Sequence, residues 1–229
     1  MFSRPLVVKI HTQIDIQAYL GPDGTPLIFR PQLNAARMTR SAARLALPTF
    51  DADAFIKLIK RLVMVEKRWI PQIPGYSLYI RPALIGTRPA IGVVVSDHAT
   101  LFVIVSPGGP FFKQDPDFKG VKPVSLYASY DYIRSWPGGT GEYKVGGNYA
   151  PCFMPQMKAN EAGYQQILWL LEDVEQKEKD APAANGAVDA EKKSQEMRIT
   201  EAGQMNFFAV IKRANGGKFR IAENQLSFN

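Results

Sequence analysis

Residues 62–87 read LVMVEKRWIPQIPGYSLYIRPALIGT, and the fold class turns on the change of period inside them. Up to Trp69 the apolar residues return at helical spacing. Phe55, Ile59, Leu62 and Val63 form the stripe of a helix expected from about Asp53 to Trp69 and ended by Pro71. Past Gly75 the pattern alternates: Tyr76, Leu78 and Ile80 point one way, Ser77, Tyr79 and Arg81 the other, as in a strand with one polar face. Working outward, Asn34 to Leu47 reads as another helix, capped by Asn34 and stopped by Pro48, with Met38, Ala42 and Leu45 on one face. Leu101 to Val105 is an unbroken apolar run, expected as a buried strand. Residues 25–106 are therefore expected to form a small α/β domain.

The rest of the chain reads as the start of a second domain. Gly108 to Pro123 is rich in Pro and Gly and has no period, which suits a link between domains. The expected organisation is a small α/β domain over 1–112, a linker over 113–122, and a larger β-rich domain over 123–229. In the second domain, Val124–Ala128 and Gln165–Leu171 read as strands, and a helix from about Pro155 to Ala162 ends at Gly163. Asn206–Arg213 and Lys218–Ala222 make a hairpin around Asn215-Gly216-Gly217. The fold class is α/β of the α+β type.

Composition removes several kinds of protein from consideration. The 229 residues include 25 aromatics, more than a solvated, disordered chain carries. One cysteine, Cys152, has no partner for a disulfide, and His11 and His98 are too far apart in sequence to point to a metal site. No run of apolar residues is long enough to span a membrane, and Leu6-Val7-Val8 is too short for a secretory signal. An intracellular protein, cytoplasmic or mitochondrial, is expected. The net charge of +7 raises nucleic acid as a partner, but the basic residues are scattered singly or in pairs, so no nucleic-acid binding is expected.

Three stretches could carry chemistry. Five glycines within 138–147 surround Lys144, where the backbone can approach a ligand closely. This is either a mobile loop with an exposed lysine or a cradle for a lysine that forms Schiff bases with carbonyls. Tyr79 and Arg81 share a strand face, either solvated or suited to a carboxylate or phosphate. Thr200-Glu201-Ala202-Gly203-Gln204-Met205-Asn206 sets an acid and an amide at a turn, either a plain strand entry or part of a site.

Their order along the chain resembles the branched-chain amino-acid aminotransferases, fold-type-IV enzymes that use pyridoxal 5′-phosphate. The matching stretches are FRPQLNAARMTRSAARLALPTFD (29–51), GYSLYIRPALIGT (75–87), LFVIVSPGGPFF (101–112), KPVSLYA (122–128), WPGGTGEYKVGGNYAP (136–151), GYQQILWL (163–170) and TEAGQMNFF (200–208). The resemblance implies that Lys144 holds the cofactor as a Schiff base, that Arg37 grips its phosphate, and that Glu201 faces its ring nitrogen. It places Tyr149 and Asn206 beside the cofactor, with Tyr79 and Arg81 on the substrate side. It further implies transamination of leucine, isoleucine and valine with 2-oxoglutarate to give glutamate, in a homodimer.

The chain also departs from that pattern. Where the family carries an FEGxKA-like segment, residues 13–21 read QIDIQAYLG. Phe111 stands for a tyrosine and Gln204 for a threonine, and the tail from Lys218 to Asn229 does not match. A truncated, catalytically incompetent relative acting as an interaction protein is the alternative these departures imply. An isolated chain of poor solubility, with an apolar edge at Phe207, Phe208, Val210 and Ile211 and turnover near background, is then expected.

Residues 172–198 hold eight acidic and five basic side chains and no aromatic, and read as an exposed, disordered insertion. Limited proteolysis is expected to cut there first. Cleavage no faster than within 124–171 would overturn that reading.

Overall fold

The computed structural model describes residues 11–110, 123–172, 197–203, 205, 207–211 and 220–223. The chain divides into two compact units, the first comprising residues up to Lys122 together with Tyr143–Ala150, the second Pro123–Glu142 and everything from Pro151 on. The sequence reading counts 143–150 with the second domain. The segment groups with the first unit because Val145 bridges to Thr12 and the backbone of Lys144 bonds into the same strand.

The first unit is built on a five-stranded antiparallel sheet: β1 (His11–Gln13), β2 (Ile16–Leu20), β3 (Pro26–Ile28), β4 (Ser77–Gly86) and β5 (Ala99–Gly108). β1 and β2 lie end to end along one side of β4 in a single register, with Gln13 opposite Ala83 and Ile16 opposite Ile80. The ladder breaks only at Ile14 and Asp15, and Pro82 is the cause. The Ile14 N–H donates to the Pro82 carbonyl at 3.2 Å, but proline has no N–H to return. Continuing the register puts Asp15 opposite Arg81, at a pair without mutual backbone bonds, where cross-strand side chains come closest.

Alternation then sorts the two faces. Ile14, Ile16, Ala18, Leu78 and Ile80 are buried in one cluster with Met38 and Ile59 from the helices α1 (Pro31–Arg44) and α2 (Ala52–Val65). Gln13, Asp15, Gln17, Tyr79 and Arg81 fall on the opposite face by the same period of two.

The helix ends differ from the sequence reading in instructive ways. α1 starts at Pro31, whose fixed φ suits a first helical position, and Asn34 spends its amide on the Asp15 carbonyl (2.9 Å) instead of capping. At its C-terminus Ala46 takes a left-handed φ of 50°, and the N–H groups of Ala46 and Leu47 donate to Ala43 and Ala42. That is the terminal pattern usually given to glycine. α2 begins at Ala52, just before the expected start, because the Asp51 carboxylate accepts from the N–H groups of Asp53 and Ala54 at 2.9 Å each. It ends at Val65, and Lys67–Trp69 form a separate 3-10 turn. β5 pairs with β4 alone, so Leu101–Val105 is an edge strand with Ile104 exposed, rather than a buried one.

In the second unit, β6 (Leu126–Ser129) runs parallel to β7 (Gln166–Glu172), with α3 (Phe153–Glu161) in the connection, and β8 (Met197–Ala202) pairs antiparallel to β7. Ala159, Ile167 and Trp169 form its small core. β9 (Phe208–Ile211) and β10 (Arg220–Glu223) pair as the expected hairpin. The expected linker 113–122, the interior of the expected insertion, Phe111, Gln204 and Asn206 lie outside the described residues.

Ile80 is fully buried between β2 and β5, whereas Ile104 on the sheet edge is 55% exposed. Ile80→Ala is expected to lower unfolding stability by about 2–5 kcal/mol. Ile104→Ala should stay within about 0.5 kcal/mol in the same denaturant titration.

Candidate active site

Lys144 is held by its backbone before its side chain is considered. Its carbonyl accepts from the Thr12 hydroxyl (2.7 Å) and from the Gln13 N–H (3.2 Å), and its own N–H donates to the Ser41 hydroxyl at 2.9 Å. Thr12 and Ser41 are fully buried, so these bonds satisfy polar groups with no water to fall back on. Glycine is needed close by: a Cβ on Gly146 would sit 1.9 Å from the His11 ring. The neighbouring Gly147 faces open space. Asn148 is buried and donates to the Tyr143 carbonyl at 2.8 Å, closing the turn back toward the lysine.

The amine reaches an acid that the sequence reading missed. Nζ of Lys144 lies 3.0 Å from Oδ2 of Asp15, and 5.1 Å from the centre of the Tyr149 ring. The other carboxylate oxygen of Asp15 accepts from the Tyr79 hydroxyl and pairs with Nη2 of Arg81 at 3.1 Å. Arg81 also donates to Tyr79 through Nε (2.9 Å) and to the Gln13 side chain. Thus Tyr79 and Arg81, expected on one face, do converge with Lys144, and Asp15 is what joins them.

The charges follow from these contacts. Burial alone would raise the Asp15 carboxyl, but the Tyr79 hydroxyl, Lys144 and Arg81 outweigh it and hold the group below its ordinary range. Burial would lower the Lys144 amine, yet Tyr149 and Asp15 together leave it above its usual value. Burial and the bond to Asp15 push the Tyr79 phenol up to about 12. At neutral pH the cluster is an ionised acid between two cations with a protonated phenol.

Arg37 stands on the helix face that touches this segment. Asn34, Arg37 and Ser41 follow one another at spacings of three and four on α1, so they share a side, and the first and last of them bond Asp15 and Lys144. Arg37 is partly buried, and among the described residues its guanidinium makes no hydrogen bond or ion pair. A cleft of about 410 Å³ opens beside Asp15, lined also by Ile16, Gln17, Tyr19, Phe29 and Asn34.

Glu201 belongs to the second unit, at the end of β8. Thr200 is the extra residue of a β-bulge opposite Trp169 and Leu170, and its hydroxyl donates to the Trp169 carbonyl at 3.2 Å. Gly203 follows with φ 57°, where a Cβ would meet the Gln166 side chain at 2.2 Å. Between these two irregularities Glu201 accepts an ion pair from Arg134 at 3.2 Å. Arg134 was not singled out from the sequence, and nothing in its flanking residues marks it. Cys152 is half-buried, and burial raises its thiol, which makes it a poor nucleophile. Among the described residues there is no group of three or more metal-binding side chains, and no helix is long and apolar enough to cross a membrane.

The chain is similar to known proteins over most of its length. Over 203 residues the chain is 43% identical to the mitochondrial branched-chain-amino-acid aminotransferase of Schizosaccharomyces pombe, covering 89% of this chain and 41% of that protein. It is 40% identical to that of Dictyostelium discoideum over 203 residues (89% and 46%) and 41% identical to the cytosolic protein of Mus musculus over 208 (89% and 47%). The chain is a homologue of the branched-chain aminotransferases. It spans about half the length, or less, of these aminotransferase relatives. The fold agrees: a T.th. branched-chain amino acid aminotransferase with pyridoxamine 5′-phosphate superposes with a TM-score of 0.56 at 26% identity, covering 70% of this chain and 50% of that one. The architecture is that of a fold-type-IV aminotransferase. No family model matches the chain.

Removing the Ser41 hydroxyl would leave the Lys144 N–H without its buried acceptor. Ser41→Ala is expected to cost about 1–2 kcal/mol in a denaturant titration. Amide exchange at Lys144 should quicken more than at Ile80, and equal exchange in both proteins would show that Ser41 does not anchor the lysine.

Proposed function

We propose that this chain carries the lysine half of a site for pyridoxal-phosphate-dependent transamination of branched-chain amino acids, with 2-oxoglutarate as the amino acceptor. The observation that carries the reading is Lys144, fixed through both backbone groups while its amine projects among Asp15, Tyr149 and the Tyr79–Arg81 pair. The identity of 40–43% to named branched-chain aminotransferases supports the substrate class.

The donor set suits such a cofactor. An aldehyde needs a single reachable amine, which Lys144 supplies, and a phosphate dianion needs a cationic fork, which the uncommitted guanidinium of Arg37 supplies. Open backbone at Gly147 leaves room for close approach. When bound, the cofactor supplies an electron sink for the α-carbon of the amino acid. Lys144, once freed as a neutral amine, takes the α-proton and returns it on the other side of the exchange. Tyr149 flanks the amine and orients it.

Glu201 is assigned to the ring nitrogen and Asn206 to the same strand motif through the family resemblance, and Tyr79 and Arg81 to the substrate side. The names of the relatives include mitochondrial and cytosolic forms, and either compartment suits the reaction. A homodimer is the assembly proposed.

Incubation with pyridoxal phosphate is expected to give a visible absorbance band that is absent in Lys144→Ala. Arg37→Met should weaken cofactor binding by about tenfold or more, the value of a charge-assisted phosphate contact. No band in the unaltered chain would overturn the proposal, and unchanged affinity in Arg37→Met would remove Arg37 from the site.

A further inference from the structure

Asp15 occupies a place that the transamination reading does not use. It sits in the one gap of the β1–β2 ladder, opposite Arg81, with both carboxylate oxygens committed: Oδ1 to Tyr79 and Arg81, Oδ2 to Lys144. An ammonium bonded to a carboxylate has no free electron pair, so the geometry that presents Lys144 also restrains it. We propose that Asp15 is a positioning residue for Lys144: its carboxylate holds the amine charged and turned toward the Tyr79–Arg81 face, and Lys144 becomes a nucleophile only when this ion pair opens. The inference rests on the reading of Lys144 as the cofactor-bonding lysine.

The chemistry sets what opening must accomplish. To attack an aldehyde, the ammonium first gives up one proton, and the freed pair on Nζ forms the bond to the carbonyl carbon. The carbonyl oxygen then departs as water with two hydrogens that began on nitrogen, so one charged amine and one aldehyde yield one charged imine and one water. A cation that draws the carboxylate away favours the first step.

Arg81 is built to compete. It faces the same carboxylate from β4, with Tyr79 beside it. From the 143–150 segment Tyr149 adds a titratable group near the amine. α1 contributes Asn34 and Ser41, which bond backbone atoms of this cluster and carry no charge, and Arg37 on the same helix side. The hold on the Lys144 proton is therefore shared by Tyr149 and Asp15, and the hold of Asp15 on Lys144 answers to Arg81.

The test needs no cofactor. Trace acetylation with acetic anhydride followed by peptide mass spectrometry reads the fraction of neutral amine at each lysine across a pH series. In Asp15→Asn, labelling of Lys144 at about pH 8 should be roughly two- to fivefold faster, the scale of a partly exposed ion pair. Lys57 and Lys60, exposed on α2, should be unchanged, and Asp15→Glu should return Lys144 toward the unaltered rate. Arg81→Gln should act in the opposite sense and slow Lys144, because the carboxylate is then undivided; a mere loosening of the strand would quicken it. Equal Lys144 labelling in Asp15→Asn and the unaltered chain would overturn the inference, as would faster labelling in Arg81→Gln or a parallel rise at all three lysines. The pyridoxal phosphate band is read separately. A band without an Asp15 effect sinks this inference alone, and an Asp15 effect without a band sinks the functional proposal alone.

Discussion

The backbone of Lys144 is the point on which the first unit closes. Its carbonyl takes two donors from β1, its N–H takes the buried hydroxyl of Ser41, and Val145 continues as a bridge to Thr12. These bonds tie a segment from the middle of the chain to a strand near its start and to a helix between them. Because Thr12 and Ser41 have no access to water, the bonds must be made or the desolvation of both hydroxyls goes unrepaid. The position of the amine follows from this, since a lysine pinned at both backbone groups can only swing its side chain. The glycine at 146 follows as well, because the His11 ring fills the space a side chain would need.

Pro82 has an influence out of proportion to its place in the middle of β4. By removing one donor it leaves the Ile14 carbonyl without a return bond from β4 and breaks the ladder at Ile14 and Asp15, where the Asp15 carbonyl accepts from Asn34 of α1. A strand and a helix are thereby joined beside an unpaired stretch of backbone. The carboxylate at the gap meets Arg81 across the strands, and the phenol of Tyr79, held protonated to about 12, donates to it. The polar face of the sheet is thus an organised network, where each member orients the next.

Much of this was legible in the residues. The change of period at Gly75 marks helix and strand correctly, and alternation puts Tyr79 with Arg81 because a strand has no other way to arrange them. Lys144 stands out because glycines crowd around it. Asp15 escaped notice although Gln13-Ile14-Asp15-Ile16-Gln17 alternates as cleanly as residues 76–81, and Asp15 is the one charge on that strand. Its partner Lys144 is more than a hundred residues away, and no local pattern predicts that a loop will return to a particular strand. Ser41 was hidden for the same reason, as a small polar residue among alanines whose acceptor role appears only when Lys144 arrives. The strand at 101–105 misled because an apolar run looks alike whether it is central or at an edge, and the neighbour that decides is not in the run.

The return of residues 143–150 to the first unit has a consequence for how this protein is made. During synthesis the strands and helices of that unit are all present well before Lys144 leaves the ribosome. The Ser41 hydroxyl and the inner side of β1 must wait, half-solvated, while the chain builds the start of the next unit. Bringing Val145 back to Thr12 closes a loop of over a hundred residues, and the entropy of such a closure is spent before its hydrogen bonds reward it. Lys144 is therefore set among the last native contacts of its unit to form, after the scaffold around it has folded.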